Sequence, residues 1–186
     1  PKPLHDAAVA AVGSSVFAFG GAEGNAAFDS ILVLKPDAAN AVTLAGAKLP
    51  APRSGAVAVT VEGGAKAVIV GGSNGSTPTN EVLATTDGAT FTPVAVLAEP
   101  VRYPAVAAIG STLWVFGGIW NNQSSASIQQ VDLATGQATV VGKLAAPLSR
   151  ASAFVLDGSI FIAGGRNANG RTADIARFDP TTLVST

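Results

Sequence analysis

The 186-residue chain has no cysteine and no methionine, one histidine, one tyrosine and two tryptophans. Without cysteine there is no disulfide, no thiolate metal ligand and no thiol nucleophile. The single histidine, His5, cannot assemble the usual zinc or copper ligand sets, and no strained nucleophile turn suggests a hydrolytic triad. Charge is scarce too: Asp, Glu, Lys and Arg make up only 12% of the chain and the formal net charge is −1, so the basic field that nucleic acid or an anionic membrane attracts is missing. Glycines and polar turns cut every apolar run well short of the roughly 18 residues of a membrane-spanning helix. Together these scarcities argue against nucleic-acid partners and metal or thiol chemistry, and they lead to the expectation of no cofactor and no insertion into a membrane.

The chain begins with Pro1 and has no basic, apolar leader, which reads as a processed product or an excised domain whose leader or anchor lies upstream. A cysteine-free, turn-rich protein fits an extracytoplasmic setting, in a bacterial envelope or secreted, with the cytoplasm as the alternative.

What the chain has in quantity is glycine, 21 residues, and its arrangement is periodic. The pairs Gly20-Gly21, Gly71-Gly72, Gly117-Gly118 and Gly164-Gly165 each close an apolar run, VFAF, AVIV, LWVF and IFIA, at spacings of 51, 46 and 47 residues. Each run is preceded by a small-residue strand (AAVAAV, AVAVTV, AVAAI, ASAFVL) and a turn, and followed by a polar loop and a third strand (SILVLK, EVLATT, SIQQVDL, DIARF). A turn rich in Asp, Gly or Pro comes next, then a fourth strand leading to Leu-x-x-Pro at Leu49–Pro52, Leu97–Pro100 and Leu144–Pro147. Four short antiparallel strands repeated at this period predict the blades of a β-propeller, in which each twisted sheet covers its neighbour's face. The first glycine of a pair is expected to end the strand beside a close-lying backbone, and the second to take positive φ into the loop.

The apolar run closed by Gly-Gly, with Leu-x-x-Pro before the next strand, resembles the kelch repeat over essentially the whole chain, in a divergent, Ala-rich, bacterial-type form. The usual Tyr and Trp of that repeat are replaced downstream of the glycines by aliphatic residues or by Phe28, Phe91 and Phe178. The resemblance implies an all-β, kelch-type propeller of about four blades, one segment spanning 1–186 with repeats near 5–50, 51–98, 99–145 and 146–186. The last repeat is expected to lack its outer strand. Kelch-like propellers usually close with five to seven blades, so the expected state is an incomplete ring or part of a larger propeller, completed by further chain or by a second chain.

Because strands alternate in direction, the loops after the glycine pairs and the connections leading into each blade emerge on one side, which is the expected functional face. The connections carry His5 and Asp6, Arg53 and Ser54, Arg102 and Tyr103, Ser149 and Arg150. The loops carry Glu23, Asn25, Ser73, Asn74, Trp120, Asn121, Asn122, Gln123, Arg166, Asn167, Asn169 and Arg171. The candidate partner-binding set is Arg53, Arg102, Tyr103, Arg150, Trp120, Asn121, Asn122, Arg166 and Asn167. For the arginines of the connections, Arg53, Arg102 and Arg150, the competing reading is a hydrogen bond to strand-end carbonyls or a neighbouring blade, and this is the expected one. Trp120, in a polar loop, reads equally as a sugar-stacking or partner-anchoring residue and as structure. Trp114, inside an apolar strand, reads as core.

Copper oxidases that use kelch-like propellers need two tyrosines, two histidines and a cysteine, which this chain does not have. The expected function is a non-catalytic binding or scaffold module for a protein or glycan. Two alternatives stand beside it. One is a kelch-like sugar-processing enzyme, of mutarotase or glycosidase type, with Arg102, Arg150 or Arg166 on a carboxylate and Glu23 or Asp6 moving the proton. The other is a structural half-propeller that assembles with a second segment or with itself.

Overall fold

The computed structural model describes residues 4–35 and 42–186. Its architecture is four antiparallel sheets of four strands each. The first consists of β1 (Ala8–Val12), β2 (Ser15–Phe19), β5 (Ser30–Leu34) and β6 (Val42–Lys48), with the hairpin β3 (Ala22–Glu23) and β4 (Ala26–Ala27) between its second and third strands. The second is β7 (Val57–Val61), β8 (Lys66–Val70), β9 (Glu81–Thr85) and β10 (Thr92–Val96), and a 3₁₀ turn at Glu62–Gly64 joins its first two strands. The third is β11 (Ala105–Ile109), β12 (Thr112–Phe116), β15 (Ser127–Asp132) and β16 (Ala138–Lys143), with hairpin β13 (Ile119–Trp120) and β14 (Gln123–Ser124). The fourth is β17 (Ser152–Leu156), β18 (Ser159–Ala163), β21 (Ile175–Asp179) and β22 (Val184–Ser185), with hairpin β19 (Arg166–Asn167) and β20 (Gly170–Arg171). The fourth sheet therefore does have an outer strand, contrary to expectation: Val184 and Ser185 pair with Asp179 and Phe178 across a turn tied by the Asp179 carboxylate.

The sheets pack in series through their innermost strands, β1 on β7, β7 on β11 and β11 on β17. Alternation along the strands sends one row of side chains to each neighbour. Ala8, Ala10, Phe17, Phe19 and Ile31 of the first sheet meet Ala56, Ala58, Ile69 and Leu83 of the second. Val57, Val59, Val68, Val70 and Val82, on the second sheet's other face, meet Val106, Leu113 and Val115 of the third. Ala105, Ala107, Trp114, Phe116 and Ile128 then meet Ala153, Ile160, Ile162 and Phe178 of the fourth. Strands β8 and β12, covered on both faces, are continuous apolar runs because neither face meets water. Alanine dominates β1 and β11 because the innermost strands pack directly on one another. Each Leu, Ile or Phe so buried contributes about 1.5–3 kcal/mol. Among the described residues no helix is long and apolar enough to cross a membrane.

The glycine pairs fasten one sheet to the next. Both members of each pair, not only the second, have positive φ. At Gly20 a Cβ would collide with the Arg53 carbonyl of the connection into the second sheet, and that carbonyl accepts the Gly21 N–H at 2.8 Å. Gly72 and Gly118 donate in the same way to Val101 and Leu148, each at 2.8 Å, and Gly71 and Gly117 lie against those carbonyls. Only glycine lets the backbone approach this closely in this conformation.

Candidate binding face

The four lead-in segments align residue for residue: Leu4-His5-Asp6, Arg53-Ser54-Gly55, Val101-Arg102-Tyr103 and Leu148-Ser149-Arg150. The middle residue of each forms a β-bridge to its own sheet's post-glycine loop, His5 to Ala22, Ser54 to Ser73, Arg102 to Ile119 and Ser149 to Arg166. The three lead-in arginines thus occupy three different repeat positions, and their surroundings differ accordingly.

Arg53 takes the first position, where the next two sheets place Val101 and Leu148. It is 3% exposed. Its guanidinium donates to the Gly71 carbonyl at 3.1 Å and the Glu81 carbonyl at 3.4 Å, and pairs with the Glu81 carboxylate. These are contacts of the kind the competing structural reading describes. Arg102 takes the middle position. Its Nε is buried without a hydrogen-bond partner, and its guanidinium carbon lies 5.7 Å from the Tyr103 ring centroid.

Arg150 takes the third position, shared with Asp6, Gly55 and Tyr103, all with φ between 56° and 63°. Their amides form a relay from sheet to sheet: Gly55 N–H donates to the Asp6 carbonyl at 2.9 Å, Tyr103 to Gly55 at 2.6 Å and Arg150 to Tyr103 at 2.9 Å. The left-handed turn directs the side chains together. Tyr103 Oη donates to Asp6 Oδ2 at 2.8 Å, His5 Nδ1 lies 2.9 Å from the same oxygen, and Arg150 Nη1 is 3.6 Å from Asp6 Oδ1. The Arg150 guanidinium covers the Tyr103 ring at 3.6 Å from its centroid. Gly55 is required here, since a Cβ would run into the Tyr103 ring. Burial raises the Asp6 carboxyl's affinity for a proton, but the bonds from His5 and Tyr103 and the Arg150 charge outweigh it and hold the pKa below its ordinary value. Burial, then the Asp6 carboxylate, pushes the Tyr103 hydroxyl above its ordinary value.

Beside this cluster lies an open hollow of about 420 Å³ lined by Arg150, Gly165, Arg166, Arg171 and Thr172. Arg166 and Arg171 stand directly opposite each other on the β19–β20 hairpin. Like charges in that relation repel, and among the described residues neither has a carboxylate within ion-pair distance. The equivalent positions elsewhere are Ala22 and Ala27, Ser73 and Pro78, and Ile119 and Ser124, so the fourth sheet alone concentrates positive charge here.

Trp120 is 38% exposed on the β13–β14 hairpin, whose turn residues Asn121 and Asn122 both have positive φ. Those two asparagines make the tight turn, which their short amide side chains tolerate. Asn167 Oδ1 accepts the Asn169 N–H at 2.9 Å and shapes the β19–β20 turn. Ser124 at the base of the third-sheet hairpin donates to Ser149 Oγ at 3.1 Å, which ties Trp120's hairpin to the Arg150 segment. The structure therefore assembles Tyr103, Arg150 and Arg166, sets Arg53 apart, and adds Asp6, His5 and Arg171. The repeat alignment of the lead-in segments is the signal that groups Asp6 with Tyr103 and Arg150. Arg171 carries no sequence signal beyond its place in a polar loop, because its pairing depends on hairpin register.

Serial four-stranded sheets joined through their inner strands, with loops gathered on one side, define a β-propeller architecture. Residues 147–184, spanning the fourth sheet, match the family model described as Kelch motif. The all-strand fold is consistent with a kelch-type propeller, and the glycine fastening repeats one design in the first three sheets. No curated protein matches the chain.

Proposed function

We propose that the chain is a non-catalytic binding module that holds an acidic group of a protein or glycan partner in the hollow formed by Arg150, Arg166 and Arg171. The carrying observation is the Arg166–Arg171 cross-strand pair, two cations held face to face beside a third. A carboxylate or other anion bound between them removes the repulsion and accepts charge-assisted hydrogen bonds from planar guanidinium groups. Trp120 offers a flat, partly exposed apolar surface on the hairpin that Ser124 ties to Ser149. Kelch-type propellers commonly serve protein interactions, which agrees with this reading. In the enzyme alternative Asp6, held ionised by His5, Tyr103 and Arg150, could serve near neutral pH as a proton acceptor and not as a donor.

Fluorescence titration with a glutamate-rich peptide and with carboxylated oligosaccharides tests the proposal. Binding that weakens at least tenfold in both Arg166→Ala and Arg171→Ala, and falls steeply with salt, is the expected result. Affinity for every acidic probe equal to that for neutral analogues removes the hollow as the site.

A further inference from the structure

The fourth residue of each innermost strand is Ala11 in β1, Thr60 in β7, Ala108 in β11 and Val155 in β17. Alternation turns its side chain towards the preceding sheet, as Thr60 turns to Ala11 and Ala108 packs on the second sheet's apolar face. At the joint of the first and second sheets the Thr60 hydroxyl accepts the Ala11 N–H at 3.1 Å and donates to the Ala11 carbonyl at 2.9 Å. One hydroxyl thus satisfies both backbone groups of a residue that points them away from its hairpin partner. Two further contacts shut this joint on the turn side: the Gly64 carbonyl accepts the Gly13 N–H at 2.9 Å, and Gly88 lies against the Phe17 ring.

The joint of the second and third sheets repeats none of these closures. Thr60 holds Ala11's register place, so its N–H and carbonyl also point away from the hairpin partner, towards the third sheet. Ala108 stands opposite them with a methyl group and no hydroxyl, and apart from the β7–β8 pairing no described residue bonds the Thr60 N–H or carbonyl. The Gly110-Ser111 turn is shorter than the turn from Glu62 to Ala65 and makes no backbone hydrogen bond to it. The result is an open hollow of about 680 Å³ bordered by Thr60, Glu62, Lys66, Ala108, Ser111 and Leu133. A backbone N–H and carbonyl side by side call for a partner that accepts and donates at once. At the joint of the third and fourth sheets the branched Val155 stands in the corresponding place.

We propose that this hollow binds a neutral sugar unit. One ligand hydroxyl, seated over Ala108, bridges the Thr60 N–H and carbonyl as the Thr60 hydroxyl bridges those of Ala11. The rim selects for the same chemistry. Lys66 and Glu62 pair there, so they present a donor and an acceptor together without net charge, which suits adjacent hydroxyls and gives an ion little to gain. Leu133, packed on the core between the two sheets, supplies an apolar surface for the C–H face of the ring. The volume lies in the range of small-molecule sites. The hollow is on the turn side of the molecule, away from the arginine hollow of the loop side, and the proposal does not rest on that site.

Saturation-transfer NMR with maltose, cellobiose, lactose and chitobiose as probes tests it. At least one of the four is expected to bind, and its affinity is expected to fall about tenfold or more in Ala108→Thr, whose own hydroxyl takes the ligand's seat on Thr60. No transfer to any of the four overturns the proposal, and so does an affinity that survives Ala108→Thr. A measurement without ligand checks the seat itself. Ala108→Thr is expected to unfold at a higher temperature than Ala108→Val, which has the same shape but brings no hydroxyl to the Thr60 backbone. Equal unfolding temperatures overturn the proposal, since the hydroxyl then finds no partners there. Should Ala108→Thr lose its native circular dichroism, Lys66→Met at the rim replaces it: weaker binding of the sugar is expected, and unchanged affinity overturns the proposal equally.

Discussion

Arg53 and Arg150, the same residue type, stand in the second and fourth lead-in segments, two repeat positions apart in register. Arg53 is sunk between sheets with two carbonyls and a carboxylate around it, while Arg150 lies over a tyrosine ring at the edge of an open hollow. Register decides the role. A guanidinium in the first lead-in position replaces an aliphatic side chain and must be satisfied by backbone, and one in the third position stays in reach of solvent and of ligands. The largest expected contrast in stability follows. Arg53→Met leaves the Gly71 carbonyl and Glu81 without their donor and is expected to cost about 3 kcal/mol, toward the low end for a broken buried pair because Glu81 is partly hydrated. Arg150→Met is expected to cost less than about 1 kcal/mol, the value of a partly exposed cation–π and ion-pair contact. Urea unfolding measures both, and equal losses would place Arg150 among the structural ties.

The glycine pairs sharpen the same contrast between joined and open sheets. Gly117→Ala meets the Leu148 carbonyl, which must move and weaken its bond from Gly118, on top of the strain of a positive φ. Gly164→Ala meets only the strain, about 1–2 kcal/mol, since its nearest neighbour is Thr172 O at 3.7 Å from an ideal Cβ. Gly117→Ala is expected to be the more destabilising by about 1 kcal/mol, the worth of one hydrogen bond. Equal thermal shifts would mean that the two glycines do the same work despite their different neighbours.

The repeat was legible because it is written in the residues that backbone geometry demands: glycine where carbonyls approach, alanine in the innermost strands, aliphatic runs where both faces are covered. The loop face was legible in outline, since strand direction follows from strand order. Roles on that face were not, because Arg53, Arg102 and Arg150 look alike until the segments are aligned at single-residue register. The short outer strand Val184–Ser185 was missed for a related reason. Two residues carry no periodicity, and only the Asp179-bonded turn returns them to β21.

A further contrast concerns the Asp6–Tyr103–Arg150 cluster. Tyr103→Phe removes the hydroxyl that donates to Asp6 at 2.8 Å and is expected to cost about 1 kcal/mol near neutral pH. Its pH dependence carries the information. The Asp6 pKa in the folded chain lies below the ordinary 3.8, so the stability that it contributes is present above that value and lost as pH falls through the lower folded one. Tyr103 is shifted the other way, so its contribution holds below the ordinary 10.0 and is lost as pH rises through the folded value. Asp87, Asp132 and Asp179 are also held low, by backbone amides of their own turns, and they give wild type and variant the same acid response. The difference in urea midpoint between wild type and Tyr103→Phe therefore isolates the Asp6–Tyr103 pair: a plateau at intermediate pH that narrows at both the acid and the alkaline end. A difference that stays constant down to about pH 2 would show that Asp6 does not take its charge stabilisation from Tyr103, and the cluster would then be held by Arg150 and His5 alone.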